Sequence, residues 1–291
     1  MTAGASRRHP DAHAARSPRT ESPAQPNALT ADAIAARTRW LARTLHWFDE
    51  IDSTNKHALA IAAAGAAHGE AVIAEAQSAG RGRLGRGFYS PPRTNLYVSF
   101  VLRPGGSAAA LGTLPLTAGV ALAEVVADEL GDPTRVQLKW PNDVLADEKK
   151  VSGILLERAG ASADSAVILG IGVNLNVDPA TFPDEFRARA SSLSALAGRA
   201  IERARFAAAL FERLEAALDA HAERGFAALR PRFDALFRMN DRRVRVADAA
   251  GRVTEGVVLG VGADGSLRLG TYAGEERLLA GDVTLLKEPL S

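Results

Sequence analysis

The chain has 291 residues, enough to bury one sizeable core with a smaller second domain or tail, and 47% of them are hydrophobic. A formal net charge of +1 excludes a global field aimed at nucleic acid or a membrane surface, so any basic site has to be local. Cysteine is absent, which excludes a disulfide framework, a thiolate nucleophile and a thiolate-held metal, and agrees with a reducing cytoplasm.

Residues 1–27 are rich in Pro, Ser, Ala, Arg and His and nearly free of large apolar side chains, so they read as a disordered tail. Arg7 and Arg8 have no apolar run behind them, which argues against a secretory signal; the composition faintly matches a transit peptide, a weaker reading than a plain tail. The apolar stretch 59–67 is too short and too alanine-rich to span a membrane. Thr30 can cap a short helix running to about Leu45. Residues 46–51 predict a strand, and Ser53 an N-cap for an alanine-rich helix through Ala64. Strands are expected over 70–77 and 95–103, with a loop over 78–92 between them. A helix follows over 114–130, then strands over 136–140 and 150–157 joined by a turn at 146–149, and a buried strand over 165–174. Helices are predicted over 201–222 and 225–237. The last fifty residues change to short strands (243–246, 251–261, 267–269, 276–279) with a hairpin turn at 263–266, the pattern of a small SH3-like β-barrel. The division expected is a tail over 1–27, a catalytic domain over 28–238 and a C-terminal domain over 239–291.

Five segments carry chemistry. Gly80-Arg81-Gly82-Arg83-Leu84-Gly85-Arg86-Gly87 frees the backbone to wrap a ligand, and its arginines suit phosphate or carboxylate. A flexible Gly/Arg tether that contacts nucleic acid fits that composition about as well. The position between two strands, and the following Phe88-Tyr89 that can stack on a base, favour a ligand loop. In Lys139-Trp140-Pro141-Asn142-Asp143, Pro141 ends the strand and leaves Asn142 and Asp143 at its carboxyl edge, where an Asp can hold Mg²⁺ or a hydroxyl. A plain Asn-Asp turn is the commoner outcome for such a string. Only five lysines stand against thirty arginines, and Lys139, Lys149 and Lys150 fall within twelve residues, as if a compact ammonium were required there. Gly153 marks a close backbone approach, and Asn174 after Gly170 and Gly172 offers an amide that can read an adenine edge. Ser53-Thr54-Asn55 serves either as a cap or as a set of polar contacts for a small polar ring.

Taken in order, these strings resemble the biotin–protein ligases of the biotin operon repressor family, over roughly residues 46–290. Ser53-Thr54-Asn55, Gln77, the Gly80–Arg86 string, Lys139-Trp140-Pro141-Asn142-Asp143, Lys150-Val151-Ser152-Gly153-Ile154-Leu155 and Gly170-Ile171-Gly172-Val173-Asn174 carry the resemblance. It implies an α+β fold: a mixed sheet related to class II aminoacyl-tRNA synthetases and lipoate ligases, with a C-terminal SH3-like barrel. It also implies that ATP with Mg²⁺ activates biotin to biotinyl-5′-AMP, and that the biotinyl group passes to a lysine of a biotin carboxyl carrier protein, an acetyl-CoA carboxylase subunit. By the same resemblance Ser53, Thr54, Asn55, Gln77, Gly80, Arg81, Gly82, Arg83, Lys150 and Gly153 bind biotin. Arg83, Arg86, Phe88, Lys139, Asn142, Lys150 and Asn174 bind ATP; Lys150, Arg83 and Asp143 are catalytic, and Asp143 is linked to Mg²⁺. Phe88 stands where the family's prototype has Trp, which implies weaker stacking on adenine. Residues 1–45 have room for one short helix and no recognition helix, so a monofunctional, cytoplasmic ligase that binds neither DNA nor membrane is expected, as a monomer or weak homodimer. A lipoate–protein ligase is the nearest alternative, and a nucleic-acid-binding module the alternative of another class. No G-x-x-x-x-G-K-[ST] string is present, which disfavours a P-loop ATPase.

Overall fold

A computed structural model of the chain describes residues 29, 37–104, 108–160 and 165–286. The disordered tail expected over 1–27 lies outside these, as do residues 30–36 of the helix expected after Thr30; residues 37–44 form turns and bends. A seven-stranded sheet, β1 Leu45–Phe48, β2 Ala71–Ala74, β3 Leu96–Leu102, β4 Val136–Lys139, β5 Asp143–Ala146, β6 Lys149–Arg158 and β7 Val167–Val173, runs in the order β1-β2-β3-β7-β6-β5-β4. β1 pairs parallel with β2, and every other pair is antiparallel, so the sheet is mixed as expected.

Helices α2 Ala108–Leu130 and α5 Arg203–Arg224 pack on one face of this sheet, with α4 Leu193–Ala197 and α6 Arg230–Leu236 beside them. α2 is long and apolar enough to cross a membrane by composition, but it is the central helix of the core, covered by the sheet and by α5. The other face is half covered. α1 Thr54–Ala63 lies there on Val72, Val101, Ala166 and Ile168 through Ala58 and Ala62, side chains small enough for close approach. β3 and β7 therefore read as continuous apolar runs: they are buried on both faces. α3 Asp184–Arg187 sits in the connection after β7. A second, separate antiparallel sheet, β8 Arg243–Ala247, β9 Val253–Val261, β10 Leu267–Thr271, β11 Gly274–Leu278 and β12 Asp282–Leu285, has the order β11-β10-β9-β8-β12 and the short strands of a barrel-like domain.

Two strands escaped the sequence. Asp143–Ala146 was assigned to the region between strands, yet it turns back at Trp140-Pro141-Asn142, a cis Trp–Pro bond, and pairs with β4 from Lys139↔Asp143 to Val136↔Ala146. The turn expected at 146–149 is present, tight at Asp147-Glu148, both left-handed (φ 47° and 60°). Asp282–Leu285 is short and half exposed, so its pattern is too weak to read. Ser53 holds the N-cap position of α1 but makes no side-chain cap bond; its N–H instead donates to Asp52.

The two sheets touch through named contacts. The Trp140 indole N–H donates to the Gly265 carbonyl at 2.9 Å, and Arg230 donates to the Val261 carbonyl at 2.7 Å. Gly265, at φ 83° in the hairpin turn after β9, sits so close to α2 that a Cβ there would lie 3.0 Å from the Gly112 carbonyl.

The segment before β1 is held by two carboxylates of α5: Asp219 accepts from the Trp40 indole at 3.0 Å and from the Arg39 guanidinium, and Glu215 makes the larger set. Glu215 of α5, 4% exposed, accepts the N–H groups of Arg39, Trp40 and Leu41 and the Arg39 guanidinium. Burial alone would raise its pKa, but the three backbone donors and Arg39 outweigh that and hold it below the usual glutamate range. A depressed native pKa means that the unfolded chain binds the proton more tightly. The stability contributed is then fully present above the ordinary glutamate pKa, and it is lost as pH falls through the native value. Glu215→Gln is expected to lower the thermal midpoint at neutral pH and to flatten its decline between about pH 5 and pH 3. Melting curves with the same acid slope in both proteins would refute this.

Candidate functional site

The uncovered half of the sheet's second face is paved with glycine. A Cβ on Gly170 would lie 1.9 Å from Asn55 Oδ1, and one on Gly172 would lie 2.7 Å from the Phe88 ring. Gly153 passes under Lys150 and the edge of Phe88 in the same way. These bare backbones let the start of α1 and the end of the glycine loop rest directly on β6 and β7.

A continuous polar relay crosses this floor. Gln77 Oε1 accepts the N–H of Thr54 at 2.8 Å and its hydroxyl at 3.1 Å. The buried Ser99 hydroxyl lies 2.8 Å from Thr54 Oγ1 and 2.6 Å from Asn55 Oδ1, with one proton to give between them. Asn55 Nδ2 donates to Glu157 at 2.8 Å, and the other oxygen of Glu157 pairs with Arg81 at 2.9 Å. On the far side Gln77 Nε2 donates to the Ser90 hydroxyl, which donates to the Phe88 carbonyl. Ser53, 2% exposed, adjoins this relay. Thus Ser53, Thr54, Asn55, Gln77, Arg81 and Phe88 come together, along with Ser99, Ser90 and Glu157, which sequence reasoning missed. Ser99 carried a usable signal: it is the one small polar residue inside the otherwise large and apolar run Leu96–Leu102.

The Gly/Arg segment is a small hairpin. Gly82 N–H donates to the Arg86 carbonyl, Phe88 N–H to Gly80, and Arg81 bridges Gly87. Gly80 is needed at the base, because a Cβ there would lie 2.4 Å from the Phe88 carbonyl. At the tip Leu84 takes φ 55°, exposed. Arg83 donates to Asn142 and to the Gly281 carbonyl, both at 3.3 Å, and Arg86 is ion-paired with Asp282. The loop therefore spans from the first sheet to the second. An open cleft of about 540 Å³ runs beside it, between Arg83, Asn142, Leu155, Gly265 and Leu279.

Beyond the floor stand the charges. Lys150 Nζ lies 2.7 Å from Asp143 Oδ1. Burial holds the Lys139 ammonium below the usual lysine range; nearby Lys150, Arg189 and Arg86 add to this, and Asp143 opposes it. Burial likewise lowers Arg83, again against the pull of Asp143. The lysine cluster of the sequence divides here: Lys149 is exposed, and its ammonium donates to the Ala188 carbonyl. Asn142 has less freedom than expected, since its amide donates to the Ile154 carbonyl at 2.6 Å and accepts from Arg83. Asn174 is 5% exposed; its amide donates to the Ser191 carbonyl at 3.2 Å, and its backbone bonds Val151 and Leu193. The arrangement joins a hydrogen-bonding pocket for a small polar ring to a cationic end suited to phosphates, with one carboxylate between them.

Comparison with known proteins agrees with this geometry. Residues 47–174 match the biotin/lipoate A/B protein ligase family. A biotin–[acetyl-CoA-carboxylase] ligase of Mycobacterium tuberculosis is 35% identical over 276 residues, covering 92% of this chain and 98% of that protein. The bifunctional ligase/repressor BirA of Bacillus subtilis is 32% identical over 250 residues, 86% of this chain and 76% of that protein. The biotin protein ligase of Aquifex aeolicus, solved in complex with biotin and ATP, superposes with a TM-score of 0.72 at 30% identity, over 84% of this chain and 100% of that one. At this identity and coverage, the chain belongs to the biotin/lipoate A/B protein ligase family.

Proposed function

We propose that this protein is a biotin–protein ligase, which activates biotin with ATP and transfers it to a lysine of a biotin carboxyl carrier protein, the acetyl-CoA carboxylase subunit. The observation that carries this is the relay between Gln77 and Arg81, whose other end, through Ser90 and Phe88, packs on Gly153 next to Lys150 of the Lys150–Asp143 pair. A cyclic urea offers two N–H donors and one carbonyl, which this relay of hydroxyls, amides and charges can answer. A dithiolane would leave those groups unpaired, and a site built for hydrogen bonds rejects such a ligand strongly. That separates biotin from lipoate. A nucleic-acid tether is disfavoured because Arg81, Arg83 and Arg86 already hold Glu157, Asn142 with the Gly281 carbonyl, and Asp282.

In the first step a biotin carboxylate oxygen attacks the α-phosphorus of ATP; the bond to the β-phosphate bridging oxygen breaks, and pyrophosphate leaves. Ser53, Thr54, Asn55, Gln77, Gly80, Arg81 and Gly82 hold the ring, and Gly153 gives Lys150 its path across the floor. Lys150 neutralises charge between carboxylate and α-phosphate, while Lys139, Arg83 and Arg86 balance the leaving phosphates. Phe88 and Asn174 flank the adenine. In the second step the carrier amine attacks the acyl carbon, the carbon–oxygen bond to AMP breaks, and Asp143 takes the proton that the amine sheds. Asp143 Oδ1 is buried and faces only the Lys150 ammonium among the described residues, at 2.7 Å, so Asp143 would be the oxygen ligand through which a Mg²⁺ is held. That ion supplies charge neutralisation when bound.

The domain division at 28–238 and 239–291, a cytoplasmic setting and the lack of operator binding complete the reading; residues 1–45 hold no recognition-helix pattern. Biotin-dependent exchange of labelled pyrophosphate into ATP tests the assignment, with lipoate run in parallel. No exchange with biotin, or equal exchange with lipoate, overturns it. Footprinting of an operator at physiological salt would overturn the monofunctional part alone.

A further inference from the structure

Arg203 is the first residue of α5 and is 2% exposed. A cation at a helix N-terminus opposes the helix dipole, and burying one is costly, so its place there needs a reason outside the helix. All three guanidinium nitrogens are used. Nη2 meets Glu75 at 2.7 Å, Nη1 the Arg93 carbonyl at 3.3 Å, and Nε the Asn95 carbonyl at 3.0 Å. Glu75 is itself 7% exposed. These partners flank the glycine loop: Glu75 precedes Gln77 and the loop, while Arg93 and Asn95 follow it.

Above this contact the two stems are laddered. The Glu75 carbonyl accepts the Arg93 N–H at 2.9 Å, and the Ser90 carbonyl accepts the Gln77 N–H at 3.3 Å. The next rungs are Gln77–Ser90 and Ser90–Phe88, which lie within the relay. Lys150 and Asp143 stand on other strands and owe nothing to this ladder.

We infer that Arg203, with Glu75, is a positioning residue that clamps both stems of the glycine loop and so sets where Gln77 and Arg81 stand for biotin. The inference rests on the proposed ligase reading. The clamp should govern biotin affinity and loop opening, and leave the chemical step nearly alone.

The test uses the full chain with Arg203→Met, Arg203→Lys and Glu75→Gln. Four quantities are read: KM for biotin and for ATP in pyrophosphate exchange, kcat, tryptic cleavage after Arg81, Arg83 and Arg86 followed by mass spectrometry, and the thermal midpoint. For Arg203→Met we expect biotin KM and loop cleavage each to rise on the order of tenfold, with kcat and ATP KM within about threefold. Glu75→Gln and Arg203→Lys should move the same two readouts less, since each keeps part of the contact. If Arg203→Met does not fold, these two decide the matter. A fall in thermal midpoint with biotin KM and loop cleavage unchanged overturns the clamp, as does an equal loss across biotin KM, ATP KM and kcat. Wild-type protein that fails to use biotin overturns the ligase reading instead; loop cleavage still tests the clamp in that case.

Discussion

Lys150→Met should lower the rate of biotin-dependent pyrophosphate exchange by about 10²–10³-fold, the range seen when a preorganised charge is withdrawn from a transition state. The ammonium lies across Gly153 and faces Asp143, where negative charge from a carboxylate and a phosphate has to meet. Lys150→Arg is expected to rescue little. The compact ammonium lies across the bare backbone of Gly153, and a broad planar guanidinium fork does not reproduce that position. Removing the ammonium also strips Asp143 of its ion pair, and the double variant with Asp143→Asn controls for that. A kcat within tenfold of wild type in Lys150→Met would remove Lys150 from the chemical step.

The second large effect comes from a single methyl group. Gly170→Ala places a Cβ 1.9 Å from Asn55 Oδ1, which forces the start of α1 off the sheet and breaks the bonds to Ser99 and Glu157. Overpacking of this kind costs about 1–3 kcal/mol. Biotin KM should rise by more than tenfold, as the relay loses its middle. Pairing the change with Asn55→Ala makes room for the methyl group. The double variant should recover the thermal midpoint but not the affinity for biotin. Recovery of both would show that Asn55 has no part in binding.

The legibility of this molecule followed the strength of each local signal. β3 and β7 announce themselves because burial on both faces demands apolar runs, and α5 because one face is apolar at helical period. The turn at 146–149 was legible too; strand β5 was not, because register and pairing decide it and residue type hardly does. At the site, strings rich in glycine, arginine and lysine stood out. Glu157 and Arg203 did not, since one charged residue in a strand or helix looks like any solvated one until its partner, 102 or 128 positions away, is known. Lys149 erred in the other direction: proximity in sequence placed it with Lys150, but alternation along β6 sends the two side chains to opposite sides.

The Lys150–Asp143 pair has a final consequence. An enzyme that makes an acyl adenylate holds an amine-seeking reagent against its own surface, and its own lysines are the nearest targets. Here the Lys150 ammonium is engaged with the Asp143 carboxylate at 2.7 Å. Of the thirty-four remaining lysine and arginine cations, thirty are guanidinium groups, which stay protonated and do not acylate. Few amines of the chain itself therefore stand beside a carrier lysine as targets for the acyl group.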